Sequence, residues 1–126
     1  MKKLLLLLLL SLMSSSLFAA NYPDISIDDL EKAISDKKVV VIDVNGNKSF
    51  KSGHIPSAIN FASEGKKLAS KLPADKNTLI VAYCGGPSCG AYQKAAKAAA
   101  KLGYTNIKHL SAGISGWMKA GKTLSK

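Results

Sequence analysis

Leu79-Ile80-Val81-Ala82-Tyr83-Cys84-Gly85-Gly86-Pro87-Ser88-Cys89-Gly90-Ala91 is the segment whose reading decides the fold. An unbroken apolar run from Leu79 to Tyr83 predicts a strand covered on both faces. It runs without a spacer into Cys84, after which Gly85 and Gly86 let the backbone turn sharply. The stretch from Gly90 to Leu102 is dense in alanine and predicts a helix able to pack closely on a sheet. Gly103 then stops that helix where a left-handed residue is favoured.

Working outward, Val39-Val40-Val41-Ile42 is a second continuous run and predicts another buried strand. It ends in the turn-rich Asp43-Val44-Asn45-Gly46-Asn47. Upstream, Ser26-Ile27-Asp28-Asp29 predicts a capped helix start, with Leu30, Ala33 and Ile34 on one face as far as about Asp36. Gly53 and Pro56 mark a loop, Ala58 to Phe61 a short strand, and Lys66 to Lys71 a helix closed by Pro73. Ile107 to Leu110 predicts a third core strand, and Ile114 to Ala120 a final helix before Gly121. Strands alternate with helices, which argues an α/β fold with a parallel sheet between helix layers. There is no internal repeat.

The chain has 126 residues, room for one domain. Residues 1–20 stand apart from it. Lys2 and Lys3 precede an apolar stretch from Leu4 to Met13, and Ala19 and Ala20 offer a cleavage site, the pattern of a signal peptide. Residues 21–126 are then the mature domain, periplasmic or otherwise exported, with no stable membrane anchor once the signal is cut. Removing Lys2 and Lys3 from the 18 basic residues leaves 16 against 8 acids, a net charge of +8. Every basic residue is lysine and none is arginine. The lysines are dispersed and export removes most nucleic acid, so no nucleic-acid partner is expected; a mild pull on small anions remains.

Cys84 and Cys89 are the two cysteines. An oxidising compartment invites a disulfide between them, yet a bridge five positions apart constrains the unfolded chain by only about 2 kcal/mol. Their context points to chemistry. Open α/β sheets place ligands at the carboxyl ends of their strands, and free amides at a helix start attract anions. A cysteine placed first in such a loop is expected to ionise readily. Gly85, Gly86, Ser88, Cys89 and Gly90 are the candidate substrate-binding positions, their N–H groups forming a nest for an anionic sulfur. Cys84 is the candidate nucleophile. A persulfide on it needs no metal and no cofactor, and two-step covalent transfer follows from a small sulfur-donor anion to a thiol acceptor. Cys89 is the candidate resolving thiol.

Ile42-Asp43-Val44, Phe50 to Asn60 with its Gly53-His54-Ile55-Pro56 turn, Tyr83-Cys84 with its loop, and Ser111-Ala112-Gly113-Ile114-Ser115-Gly116-Trp117 together resemble the rhodanese domain. The resemblance spans about residues 26 to 121. It implies a central parallel sheet of about five strands with helices on both faces, and a sulfurtransferase with Cys84 as the catalytic cysteine. Thiosulfate or another sulfane compound is the implied donor. It also implies a structural hydrogen bond for His54. Two departures stand out: Asn45 replaces the arginine that often follows the strand aspartate, and Cys89 replaces a basic residue at the end of the loop. Without arginine, no guanidinium fork grips an oxyanion. A subset of exported single-domain rhodanese-like proteins resembles the Cys-Gly-Gly-x-x-Cys loop. Cysteine phosphatases and arsenate reductases need a longer, arginine-ended loop, which excludes that chemistry here. Two other readings stay open: a thiol-disulfide protein cycling Cys84 and Cys89, and a non-catalytic binding module. His109 and Trp117 are expected to be structural, Asp43 to shape its turn, and Tyr83 and Tyr92 to border the pocket. The protein partner and oligomeric state are not expressed in the sequence.

Overall fold

The structure, a computed structural model, describes residues 22–126; the expected signal peptide and its cleavage boundary lie outside the described residues. Helix α1 (Ile27–Ser35) begins as expected, with Ser26 Oγ accepting the Asp29 N–H at 3.1 Å and two acids in the first turn. Strand β1 (Val39–Asp43) follows, then α2 (Asn47–Ser52), β2 (Ile59–Asn60) and α3 (Phe61–Glu64). A 3-10 turn (Gly65–Lys67) leads to α4 (Leu68–Lys71), β3 (Leu79–Tyr83), α5 (Tyr92–Lys101), β4 (Ile107–His109) and α6 (Gly113–Lys119).

Among the described residues the strands form a four-stranded sheet in the order β2-β1-β3-β4, and every pairing within it is parallel. About five strands were expected. The fifth position exists only as a bridge at the β4 edge. There Ile25 N–H donates to the His109 carbonyl and His109 N–H to the Pro23 carbonyl, each at 2.9 Å. Pro23 has no N–H to extend the ladder, and Ser26 already caps α1, so pairing ends after one residue.

Side chains alternate across the strands, which places one core on each face of the sheet. On one face Ile42, Ile80, Ala82 and Ile107 meet Leu68 of α4 and Ala95, Ala96 and Ala99 of α5. On the other, Val41, Val81 and Tyr83 meet Leu30 of α1 and Trp117 of α6. The strands are buried on both sides, which is why they read as continuous apolar runs. The methyl side chains of α5 let its backbone lie close to the sheet.

Two segments depart from expectation. Asn47–Ser52 is helical where only a turn was expected; its six residues include a single large apolar side chain, Phe50, too little to make a period. The helix expected at Lys66–Lys71 is split, with α3 capped by Asn60 Oδ1 on Ala62 N–H at 3.2 Å. The division within the expected span falls between Lys67 and Leu68, and α3 gives way to the 3-10 turn at Gly65, where a Cβ would sit 3.0 Å from the Phe61 ring.

Candidate active site

The register of β1 against β3 pairs Asp43 with Tyr83 at the carboxyl edge of the sheet, and Cys84 is the next residue. That strand end delivers Cys84 to the site, 4% exposed. Behind it lies a buried polar relay. The Tyr83 hydroxyl donates to Asp43 Oδ2, while Asp43 Oδ1 accepts the Asn45 N–H at 2.7 Å. The same hydroxyl accepts the Ile55 N–H at 3.0 Å, tying the Gly-His-Ile-Pro turn to β3. Burial first, and then the hydrogen bond to Asp43, hold the Tyr83 phenol well above its ordinary value of 10.0. Asp43 thus shapes its turn as expected. Tyr83 is fully buried and braces the strand end from below, where the sequence suggested a pocket border.

The loop from Cys84 to Ala91 is anchored by the start of α6, a part that sequence reasoning missed. Ile114 N–H donates to the Cys84 carbonyl and Ser115 N–H to the Gly85 carbonyl, both at 3.0 Å. Gly113 has φ +62°, and a Cβ there would lie 2.5 Å from Gly86 N, 2.6 Å from Gly85 C and 2.7 Å from Cys84 O. Only glycine lets α6 approach this closely. The density of small residues in Ser111-Ala112-Gly113-Ile114-Ser115-Gly116 was the available signal.

Cys84 and Cys89 are joined by a disulfide, with their Cα atoms 6.3 Å apart. The Cys89 N–H turns back to the Gly86 carbonyl at 3.1 Å, and Cys84 Sγ lies 3.4 Å from the Cys89 carbonyl oxygen. Of the candidate binding positions, Gly85, Gly86 and Cys89 are half-buried, whereas Ser88 and Gly90 are exposed. The amides of Gly85, Ser88 and Gly90 donate to no protein acceptor among the described residues. Asn45 sits beside Gly85, where a Cβ would be 3.9 Å from its Oδ1, and its Nδ2 is buried without a partner among the described residues.

The remaining candidates are placed as supports. His54 Nδ1 is hydrogen-bonded to the Phe50 carbonyl at 2.8 Å and its ring stacks on Phe50 at 3.7 Å, the structural bond that was expected. His54 also exchanges backbone hydrogen bonds of 2.9 Å with Ser125. His109 stacks on Tyr92 at 4.2 Å and bonds the Tyr22 carbonyl through Nδ1. Trp117 is 2% exposed and donates to the Thr123 carbonyl. Among the described residues no group of three His, Cys, Asp or Glu side chains is arranged to hold a metal ion, and no helix is long and apolar enough to cross a membrane.

Chemically, the arrangement is a sulfur at a strand end, a turn with amides that meet no protein acceptor among the described residues, and a second sulfur bonded to the first. Known proteins resemble the chain in sequence and in fold. Residues 26–120 match the model of the rhodanese-like domain. The thiosulfate sulfurtransferase GlpE of Shewanella oneidensis is 26% identical over 102 residues, covering 80% of this chain and 97% of that protein. The chain spans only 36% and 29% of two longer curated relatives that it also matches. The solved structure of BH2092 from Bacillus halodurans superposes with a TM-score of 0.63 at 29% identity, covering 82% of this chain and 76% of that one. The human single-domain sulfurtransferase TSTD1 shares the fold, with a TM-score of 0.61 at 19% identity over 79% of this chain and 97% of that one. With the match to the family model covering most of its length, the chain belongs to the rhodanese-like domain family.

Proposed function

We propose that this protein is an exported sulfurtransferase that carries sulfane sulfur as a persulfide on Cys84. The observation that carries this reading is the placement of Cys84 at the carboxyl end of β3, at the head of a loop fixed by α6 and leading into α5. The GlpE relative, named a thiosulfate sulfurtransferase, supports the donor class. The leader pattern in residues 1–20 supports the compartment.

In the reduced protein, the Cys84 thiolate attacks the outer sulfur of thiosulfate. The sulfur–sulfur bond of the donor breaks, sulfite departs with the electron pair, and Cys84 keeps the outer sulfur. An acceptor thiolate then attacks that sulfur and returns Cys84 as thiolate. The chain has no arginine, so recognition of the donor falls to neutral amides of the loop. Larger oxyanions are therefore weakly held, which favours polysulfides and small sulfane donors. The disulfide form holds no nucleophile, and a thiol reductant must open it first.

The disulfide itself favours a second reading, in which Cys84 and Cys89 serve only in dithiol-disulfide exchange. Intact-mass measurement separates the two. Reduced Cys89→Ser protein is incubated anaerobically with thiosulfate or polysulfide. Gain of one sulfur atom, lost in the Cys84→Ala, Cys89→Ser double variant, is expected. A protein that takes up sulfur from neither donor is not a sulfurtransferase.

A further inference from the structure

The acceptor of the Cys84 sulfur is the part of the cycle that the family leaves open, and the loop itself holds a thiol within reach. We infer that Cys89 acts on the Cys84 persulfide before any outside acceptor: it resolves the persulfide from within, releases the outer sulfur as hydrosulfide, and leaves the disulfide seen here for an external dithiol to reopen. This rests on the sulfur-transfer reading of Cys84.

The Cα atoms of Cys84 and Cys89 are 6.3 Å apart, inside the range that a disulfide spans without moving the backbone. The Cys89 segment is turned back toward the start of the loop by a contact independent of the bridge: its N–H reaches the Gly86 carbonyl at 3.1 Å. The carbonyls of Cys84 and Gly85 are pinned by Ile114 and Ser115, which holds the Cys84 end of the loop in place whether or not the bridge is closed. Cys84 is also 4% exposed. An outside acceptor must therefore compete with a thiol already delivered by the chain, and such delivery outweighs dilute external thiols by orders of magnitude.

The Cys89 thiolate forms a bond to Cys84 Sγ, and the bond between that sulfur and the outer sulfur breaks. The electron pair leaves on the outer sulfur, which takes up the proton given by Cys89 and departs as hydrosulfide. The sulfane sulfur is reduced by two electrons, and the two cysteines are oxidised to the disulfide. A dithiol then returns two electrons and two protons in two exchanges. The first falls on Cys89, the less buried of the two residues, and expels Cys84 as the thiolate that restarts the cycle. Thiosulfate and a dithiol go in; sulfite, hydrosulfide and a cyclic disulfide come out. A reaction that supplies a reducing dithiol is the class of reaction this site requires.

A single turnover tests the inference. Reduced protein, freed of reductant without oxygen, receives one equivalent of thiosulfate or polysulfide in the presence of a sulfide-trapping bimane. Expected for the native chain is one hydrosulfide per protein and a product two hydrogens lighter than the reduced form. In Cys89→Ser the donor is still consumed, the protein becomes heavier by one sulfur atom, and hydrosulfide falls at least about tenfold. A native chain that keeps the extra sulfur with Cys89 free to alkylate overturns the inference, as does equal hydrosulfide release from Cys89→Ser. Uptake of sulfur by neither protein overturns the sulfur-transfer reading beneath it, so the two failures are told apart.

Discussion

Replacing Gly113 by alanine tests whether the start of α6 sets the shape of the sulfur-bearing loop. Gly113 has φ +62°, which costs a residue with a side chain about 1–2 kcal/mol. Its Cβ would also meet three backbone atoms of Cys84, Gly85 and Gly86 at 2.5–2.7 Å, and backbone cannot swing aside as a flexible side chain can. Overpacking of this kind adds about 1–3 kcal/mol. Gly121 supplies the control, since it has φ +71° but nothing within 4 Å of its Cβ position. Gly121→Ala therefore incurs the conformational cost alone. For a domain near 100 residues each kcal/mol moves the melting temperature by about 4–8 °C, so Gly113→Ala should melt at least about 10 °C below the native chain. It should melt clearly below Gly121→Ala as well. Displacing the loop should slow sulfite release from thiosulfate by about tenfold or more, with Gly121→Ala unaffected. Thermal melts under reducing conditions, followed by stopped sulfite assays at a temperature where both variants are folded, read the two effects. Equal melting of the two variants, or native sulfite release from Gly113→Ala, refutes the idea that this glycine admits the loop.

Tyr83→Phe removes a hydroxyl that both accepts from Ile55 and donates to a fully buried Asp43, and should cost about 2–4 kcal/mol in urea unfolding. The Tyr83 phenol is raised above 10.0 in the folded protein, so its contribution is intact below that value and is lost as pH climbs past it. The gap in stability between native and Tyr83→Phe protein should accordingly narrow in strongly alkaline buffer; a constant gap would contradict the relay. His54→Ala loses the bond to the Phe50 carbonyl and should destabilise by about 1–2 kcal/mol. The folded variant should load sulfur at the native rate, and a selective loss of loading would assign His54 a chemical role. Reducing the Cys84–Cys89 bridge should lower stability by no more than about 2 kcal/mol, measured as a shift in urea midpoint. A larger loss would make the bridge a structural staple.

The main frame was legible because β1 and β3 are buried on both faces, which writes itself into the chain as unbroken apolar runs. Helix α1 was legible through the Ser26 cap, a local device. What escaped was set by partners distant in sequence or by surfaces with no period. Helix α2 is mostly exposed and carries one large apolar residue, so no pattern announces it. The fifth strand shrank to a bridge because Pro23 and the cap at Ser26 compete with pairing. Within the site, the cysteine and its glycine turn are contiguous and could be found from sequence. The clamp from Ile114 and Ser115 joins backbone atoms about thirty residues apart, and backbone bonds leave little trace in side-chain identity. The pairing of Asp43 with Tyr83 depends on strand register, which no single sequence displays. A spacing of five permits the Cys84–Cys89 bridge without demanding it.

The three alanines of α5 that lie wholly against the sheet have a consequence beyond packing. They act as a shim whose thickness is one methyl group, and α5 begins three residues after Cys89. Thickening the shim lifts the front of that helix, and the chain entering it rises too. The height at which the chain leaves Cys89 thus depends in part on residues buried well away from the two sulfurs. Tuning of this chemistry over evolutionary time is open to changes in the hydrophobic interior as well as to changes around the cysteines.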